Sequence, residues 1–263
     1  MLLNNKYIVL ENIANGQFGE IIKVEYNKNY YAIKIGAKDV IKYETEIYTK
    51  LKGVANISRL YDIFEYNTNY CMVLDYYAKT LHNVKQEQFS NSDYMTNIIK
   101  YMKELLVIIR AVHSKNIIHR DLKPSNICLN SNNTLFLIDF GISKIYKHGS
   151  LHNAESKTTG LLGSINYSSL NAINCIEQSR RDDIESFMYI LVYLFLPSST
   201  YNEYNNLDII EKKDIFKIVG FIETIVNLNS NIFSKQFNYV RRLKYNQEPN
   251  YEYVNTLLCN LIK

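Results

Sequence analysis

Asp121 and Asn126 stand five positions apart in the octapeptide His119-Arg120-Asp121-Leu122-Lys123-Pro124-Ser125-Asn126, and a second aspartate follows in Leu137-Ile138-Asp139-Phe140-Gly141. A carboxylate, an asparagine five residues on and another carboxylate beyond a short hairpin suit phosphoryl transfer. One aspartate accepts the proton of an incoming hydroxyl. The asparagine and the second aspartate hold magnesium between nucleotide phosphates and so neutralise developing charge. In isolation Asp121 would read as a satisfied turn aspartate and Lys123 as a solvated loop charge. Within one octapeptide the chemical reading prevails.

Such residues need elements to hold them. The first third of the chain reads as β: Tyr7–Ile13 and Glu20–Tyr26 are short runs rich in Ile and Val, and Asn27-Lys28-Asn29 is a turn into Tyr30–Ile35. Between the first two runs lies Ile13-Ala14-Asn15-Gly16-Gln17-Phe18-Gly19-Glu20-Ile21, close to a phosphate-binding loop but with alanine where a first glycine is expected. Lys38–Leu51 reads as a helix with Ile41, Glu44 and Tyr48 on one face, and a further strand pair ends in YCMVLDYY at 70–77. Beyond it Ile98, Ile99, Met102, Leu105, Leu106, Ile109 and Val112 recur at helical spacing and lead into the octapeptide. Helices then dominate, among them Asp183–Leu196 and one near Tyr251–Leu261. The expected fold class is α+β, with a small β-rich lobe (about 1–75), a hinge (about 75–80) and a larger, mainly helical lobe (about 81–263) around a cleft.

Composition narrows the partners. At 263 residues, 47% hydrophobic and 21% charged, the chain can bury a sizeable core, and a net charge of +4 is too small to argue nucleic-acid binding. Cys71, Cys128, Cys175 and Cys259 form no CxxC pair and read as reduced thiols. The MLLNNKY start offers no apolar targeting run, and Phe187–Leu196 is too short to span a bilayer. The expectation is therefore no membrane and no nucleic acid, a cytoplasmic location by default, and the nucleus as the alternative. The 23 tyrosines and absence of tryptophan are read as base composition of the gene rather than as an interaction code.

The octapeptide and Asp139-Phe140-Gly141 resemble the eukaryotic protein-kinase signatures HRDxxxxN and DFG. The resemblance implies a bilobal protein-kinase fold, with residues 1–263 as one catalytic domain that uses ATP and Mg2+. It makes Asp121 the catalytic base, lets Lys123 steady the transferring phosphoryl group, and assigns Asn126 and Asp139 to the metal. His119 is read as a packing and hydrogen-bonding residue. Tyr-Tyr-Ala-Ile-Lys-Ile at 30–35 is similar to the kinase VAIK strand: Ala32 leaves room for a flat base and Lys34 reaches the α/β-phosphates. The partner of Lys34 is Glu44 by this match, with Glu46 as the alternative. Gly16 and Gly19, flanked by Ile13 and Ile21, resemble the glycine-rich loop. Ala14 is tolerable there if its φ stays negative. In the hinge, Leu74 matches the gatekeeper, and Asp75 and Tyr77 the main-chain contacts to adenine.

Residues 163–186, GSINYSSLNAINCIEQSRRDDIES, lack the usual Ala-Pro-Glu and are similar to the casein kinase I family, whose hallmark runs from a Ser-Ile-Asn triplet into IEQSRRDD. Here the triplet is Ser169-Leu170-Asn171; the literal Ser164-Ile165-Asn166 lies earlier. The sister vaccinia-related kinases lack the full IEQSRRDD run. By this resemblance Ser164 takes the place of the threonine that links the catalytic Asp and Lys, Asp183 braces the catalytic loop, and Arg180 and Arg181 are structural. Family members carry arginine where this chain has Asn166, so a preference for acidic or phospho-primed substrates is expected in weakened form, with Lys212 and Lys213 as the remaining basic pair. The implied activity is that of a monomeric protein serine/threonine kinase acting on Ser/Thr of protein substrates. A catalytically silent scaffold and a small-molecule phosphotransferase on the same fold are the alternatives. The sequence ends at its last helix, so autoinhibition by a phosphorylated tail is not expected. Ser156, Thr158 and Thr159 leave the need for activation-segment phosphorylation open.

Overall fold

Alternation along Asn29–Gly36 divides the small lobe into two faces. Ile33 and Ile35 point outward into a core of Leu3, Tyr7, Ile22, Val24, Cys71 and Val73, which leaves Ala32 and Lys34 facing the cleft. The computed structural model describes residues 2–261 apart from 17–18, 89–92 and 226–227. Its small lobe contains strands β1 (Leu2–Leu3), β2 (Tyr7–Gly16), β3 (Gly19–Tyr26) and β4 (Asn29–Gly36), helix α1 (Lys38–Lys50), and strands β5 (Leu60–Tyr66) and β6 (Asn69–Asp75). The strands form one antiparallel sheet in the order β1-β2-β3-β4-β6-β5. β2 and β3 run further than their apolar cores, to Gly16 and from Gly19, because the glycine segment continues the hairpin ladder. The tip residues Gln17 and Phe18 lie outside the described residues.

α1 buries Ile41, Glu44, Ile47 and Tyr48, the face that its i, i+3 and i+4 spacing defines. The chain after it is stitched to the large lobe. Leu137 N donates to Asn56 O at 2.9 Å, Ser58 N to Leu137 O at 3.3 Å, and Asn56 Nδ2 to Leu135 O at 2.6 Å.

The large lobe starts with β7 (Lys79–Thr80) and α2 (Leu81–Gln88), neither evident in the hydrophobic pattern, and then α3 (Tyr94–Ser114). Strands β8 (Ile117–Ile118), β9 (Ile127–Leu129), β10 (Leu135–Leu137) and β11 (Lys144–Ile145) follow, with a small hairpin of β12 (Lys147–His148) and β13 (Leu151–His152). The β9–β10 hairpin separates Asn126 from Asp139, and β8–β11 pairing sets the entry to the octapeptide beside the chain that follows Asp139-Phe140-Gly141. Helices α4 (Leu170–Ile173), α5 (Arg180–Phe195), α6 (Ser198–Asn205), α7 (Ile215–Glu223), α8 (Ser230–Arg241) and α9 (Tyr251–Cys259) complete it. α5 begins at Arg180 rather than Asp183. The Asp182 carboxylate accepts from the Ser179 amide at 2.7 Å, and this cap starts the helix three residues early. α5 is buried on nearly every side against α3 and α8, as its apolar run requires. Among the described residues no helix is long and apolar enough to cross a membrane.

Candidate active site

Lys34 Nζ donates to Glu44 Oε2 at 2.7 Å and to Asp139 Oδ1 at 2.8 Å. Of the two candidate glutamates, Glu44 is fully buried and Glu46 is exposed, so the helical period decides the partner. The second oxygen of Glu44 accepts from the Phe140 amide at 3.1 Å. One turn on, the Tyr48 hydroxyl accepts from the Asp139 amide at 3.3 Å, and Tyr43 donates from the preceding residue to Ser143 O at 2.9 Å. Three side chains of α1 thus hold the chain from Asp139 to Ser143. The i+4 spacing to Glu44 was the sequence signal for Tyr48; Tyr43 carries none. Burial opposes charge at both Lys34 and Asp139. The two carboxylates around Lys34 nevertheless raise it above its ordinary value, and Lys34 holds the Asp139 carboxyl below its own.

At the other side of the cleft, Asp121 is buried and fully engaged. Its Oδ2 accepts from Lys123 Nζ at 2.8 Å, and its Oδ1 from the Ser164 amide at 2.9 Å. Lys123 Nζ also donates to Ser164 Oγ at 3.1 Å, and Asn126 Nδ2 donates to Asp121 O at 2.9 Å. The loop hangs from one carboxylate at the start of α5: Asp183 accepts from the His119 amide at 2.7 Å, from the Arg120 amide at 2.9 Å, and lies 2.8 Å from His113 Nε2. His119 has both ring nitrogens occupied, Nε2 on Ile138 O at 3.0 Å and Nδ1 accepting from the Asp121 amide at 3.2 Å. Arg120 and Asp139 have φ of 70° and 64°, left-handed conformations that cost a non-glycine residue about 1–2 kcal/mol and persist only where neighbours enforce them.

The hairpin of β2 and β3 forms the roof. Ile21 pairs with Ala14 on one side and with Lys34 on the other, and Ile13 is exposed beside it. Ala14 has no positive φ, so its Cβ is unstrained. Gly19 differs: its φ is 130° and an added Cβ would lie 2.0 Å from Ile35 O. At Gly16 a Cβ would meet only Gly19 O, at 3.9 Å. In the hinge, Leu74 pairs with Ala32 and is buried. The Asp75 carboxylate accepts from the Arg59 amide at 2.6 Å and from the Tyr61 hydroxyl at 2.7 Å, while Tyr77 stacks on Phe136 at 4.9 Å. Both side chains fix the path of the hinge rather than face the cleft.

The residues fit a nucleotide with a hard cation. Asn126 uses its Nδ2 within the loop, which leaves Oδ1 as a donor atom. Asp139 pairs with Lys34 through Oδ1 and retains Oδ2. Among the described residues no three His, Cys, Asp or Glu side chains cluster as a self-sufficient metal site. Asp139 and Asn126 would each offer such a cation one oxygen, with nucleotide phosphate and water supplying the remainder.

A family model for the protein kinase domain matches residues 7–261, nearly the whole chain. The chain belongs to the protein kinase family. It is casein kinase I-like: it is 30% identical over 270 residues to a probable casein kinase I homolog of Encephalitozoon cuniculi (strain GB-M1), covering 96% of this chain and 83% of that protein. Family membership implies use of ATP and a divalent metal.

The IEQSRRDD run of this kinase has a structural account centred on Asp182. Its carboxylate accepts from Ser169 Oγ at 2.7 Å and from Asn171 Nδ2 at 2.9 Å as well as from the Ser179 amide, which ties the Ser169-Leu170-Asn171 triplet to the start of α5. Burial pushes the Asp182 carboxyl up to about 6 against those donors. Arg180 Nη2 donates to Asn246 O at 2.8 Å and Arg181 Nη1 to Leu243 O at 3.2 Å, so both serve packing between α5 and the C-terminal segment. Lys212 and Lys213 converge on Asn166 in different ways. Lys212 Nζ donates to Asn205 Oδ1 at 3.0 Å and to Asn166 Oδ1 at 3.4 Å. Lys213 is buried, donates to Asn166 O at 2.8 Å and lies 3.4 Å from the centre of the Tyr189 ring. Burial pulls its ammonium down to about 7, although Glu185 opposes this.

Proposed function

We propose that this casein kinase I-like protein is an active serine/threonine kinase, a single catalytic domain over residues 1–263 that works as a monomer with ATP and Mg2+. The observation that carries the reading is convergence across one cleft: Lys34 held by Glu44 and Asp139 on one side, Asp121 held with Lys123 and Ser164 on the other. Bound MgATP supplies the transferable phosphoryl group and the metal's positive charge. The chain does the rest. Lys34 pairs with the α/β-phosphates, while Asn126 Oδ1 and Asp139 hold the metal. Asp75 and Tyr77 would present main-chain groups to the base, for which Ala32 leaves room beside Ile13 and Ile21, and Gly16 and Gly19 would let backbone N–H groups approach the phosphates. Asp121 orients the substrate hydroxyl and takes its proton. Lys123, kept in place by Ser164, steadies charge on the transferring group. Fixed charges of this kind need no reorganisation during the reaction, which is why they lower the barrier.

The substrates in this reading are acidic or phospho-primed proteins. Lys212 is the cation that meets them, since Lys213 is committed to the interior and Asn166 brings no charge. The protein acts without nucleic acid or membrane, in the cytoplasm with the nucleus as the alternative. The test is magnesium-dependent transfer of labelled γ-phosphate from ATP to casein, with Asp139→Asn as control and phosphoamino-acid analysis of the product. Transfer to serine or threonine that disappears in the control is expected. Absence of transfer despite a magnesium-dependent rise in melting temperature with ATP would instead favour a silent scaffold or a kinase for which casein is a poor substrate.

A further inference from the structure

Two clefts outside the nucleotide site share a wall. Arg59, Asp75 and Phe136 line both, and neither is lined by Lys34, Asp121, Asn126 or Asp139. The first, of about 750 Å³, is faced by Tyr30, Tyr61 and Tyr76. Tyr30 and Tyr61 are 53% and 45% exposed, so their rings are open to a partner. The second, of about 700 Å³, lies against the end of α1 and the chain after it. Val54, Ile57 and Leu60 give it an apolar side, and the exposed Lys52 adds a cation. The shared wall is firmly set: main-chain bonds tie Asn56 and Ser58 to Leu137, and Phe136 stacks on Tyr77.

Charge around these clefts is one-sided. Among the described residues Asp75 is the one carboxylate that lines them, and it is saturated by donors. It accepts from the Arg59 amide at 2.6 Å, the Tyr61 hydroxyl at 2.7 Å and the Tyr77 hydroxyl at 3.3 Å. The Asn130 side-chain oxygen is likewise spent, on the Asn132 and Thr134 amides at 3.0 Å. Of the cations, Lys79 is paired with Glu87. Among the described residues no ion pair engages Lys52 or Arg59, and the Arg59 guanidinium lies over the Tyr61 ring, 5.7 Å from its centre. A solitary surface arginine is ordinarily just solvated. Arg59 instead stands where an aromatic cleft meets an apolar one, with every nearby acceptor committed elsewhere. Tyrosine and arginine together are the side chains that most often anchor a protein partner.

We propose that the paired clefts around Arg59 dock an extended acidic segment of a protein substrate, remote from the residue that is phosphorylated. A carboxylate of the segment pairs with the Arg59 guanidinium, an apolar side chain enters the cleft beside α1, and a ring or aliphatic side chain packs among Tyr30, Tyr61 and Tyr76. Lys52 adds long-range attraction. The proposal rests on the kinase reading for what docking serves, but the binding itself does not depend on catalysis. Because the walls are already fixed, the segment alone has to be ordered on binding. Docking here raises the local concentration of a long substrate and leaves the chemistry untouched.

The test uses casein, a long acidic substrate, beside a short peptide cut from around one of its phosphorylated sites. Arg59→Gln and Arg59→Glu are compared with Lys235→Glu, which reverses an exposed charge on α8 far from both clefts. Arg59→Glu is expected to raise KM for casein at least tenfold and Arg59→Gln about threefold. KM for ATP, kcat and kcat/KM for the short peptide should stay within twofold in both, and Lys235→Glu within twofold throughout. Added salt should raise KM for casein more in wild type than in Arg59→Glu. Amide hydrogen exchange gives a readout that needs no activity: casein should slow exchange at residues 51–60 and 129–136 in wild type and not in Arg59→Glu. That protection without any transfer would uphold docking while the kinase reading fails. An unchanged KM for casein in Arg59→Glu, the same loss on the short peptide or in Lys235→Glu, or no protection of 51–60 would each overturn the proposal. So would a KM for ATP that rises in step with that for casein, since the effect would then run through Asp75 and the hinge.

Discussion

The roof of the cleft and its floor are built on different principles. Ala14 to Gly16 are exposed and held by a main-chain ladder that continues to Gly19, whereas His119, Asp121 and Asn126 are buried and held by a side-chain network that includes Asp183, Lys123, Ser164 and Ile138. A ladder reads only φ and ψ, so it accepts alanine for glycine wherever φ is negative, as at Ala14. A side-chain network reads atoms, and each missing atom leaves a buried partner unsatisfied. A departure from the family pattern therefore means little at the roof. At the floor it would mean a great deal, and there the residues assigned to chemistry are all present.

That contrast can be broken by measurement. Asp121→Asn keeps the shape of the floor but removes the proton acceptor, and kcat should fall about a thousandfold, in the range of general-base contributions. A residual rate above a tenth of wild type would remove Asp121 from its role. Glu44→Gln strips the buried partner of Lys34, and kcat/KM for ATP should drop about a hundredfold, matching the few kcal/mol for breaking a buried pair. If Glu46→Gln produced the same loss, the pairing would be wrong. At the roof the two glycines should separate: Gly19→Ala is expected to raise KM for ATP about tenfold, since its Cβ collides with Ile35 O, and Gly16→Ala to change it less than threefold. Equal effects would show that flexibility, not close approach, is what the glycines provide.

The smallest expected effect concerns burial without a close counter-charge. Lys213 titrates near 7 when folded and at 10.5 when unfolded, so between these values the unfolded chain binds more protons. Stability should rise with pH across that window, and this contribution is lost as pH falls through about 7. Melting temperature measured from pH 7 to pH 9 should climb less steeply for Lys213→Met than for wild type. Identical slopes would place the titration elsewhere.

Sequence pattern was most legible where a local period or a fixed spacing carried the meaning. Ala32 and Lys34 share a face because a strand repeats every two residues, and Glu44 and Tyr48 do because a helix returns after four. The octapeptide spans its own site, so its chemistry could be read without knowing the fold. Contacts between remote segments were legible only through the family resemblance, as for Ser164 and Asp183. Nothing near Arg120 points to Glu177, and nothing near Asp182 points to Ser169, because each pairing is made by chain paths that only the packed lobe defines. α2 was missed for a related reason. It is short and half polar, and its amphipathic signal is weak.

The stitching of Asn56 and Ser58 to Leu137 has a mechanical consequence. The segment that follows α1 is riveted to the large lobe, while the helix's other end is linked to β4 through Ala37. If the sheet tilts to admit or release a nucleotide, α1 should stay with the floor, and the bend should fall on the short link between Gly36 and the helix. The roof would then swing like a visor on two pivots, this link and the 75–80 hinge, with Lys34 travelling on the visor and Glu44 waiting on the frame.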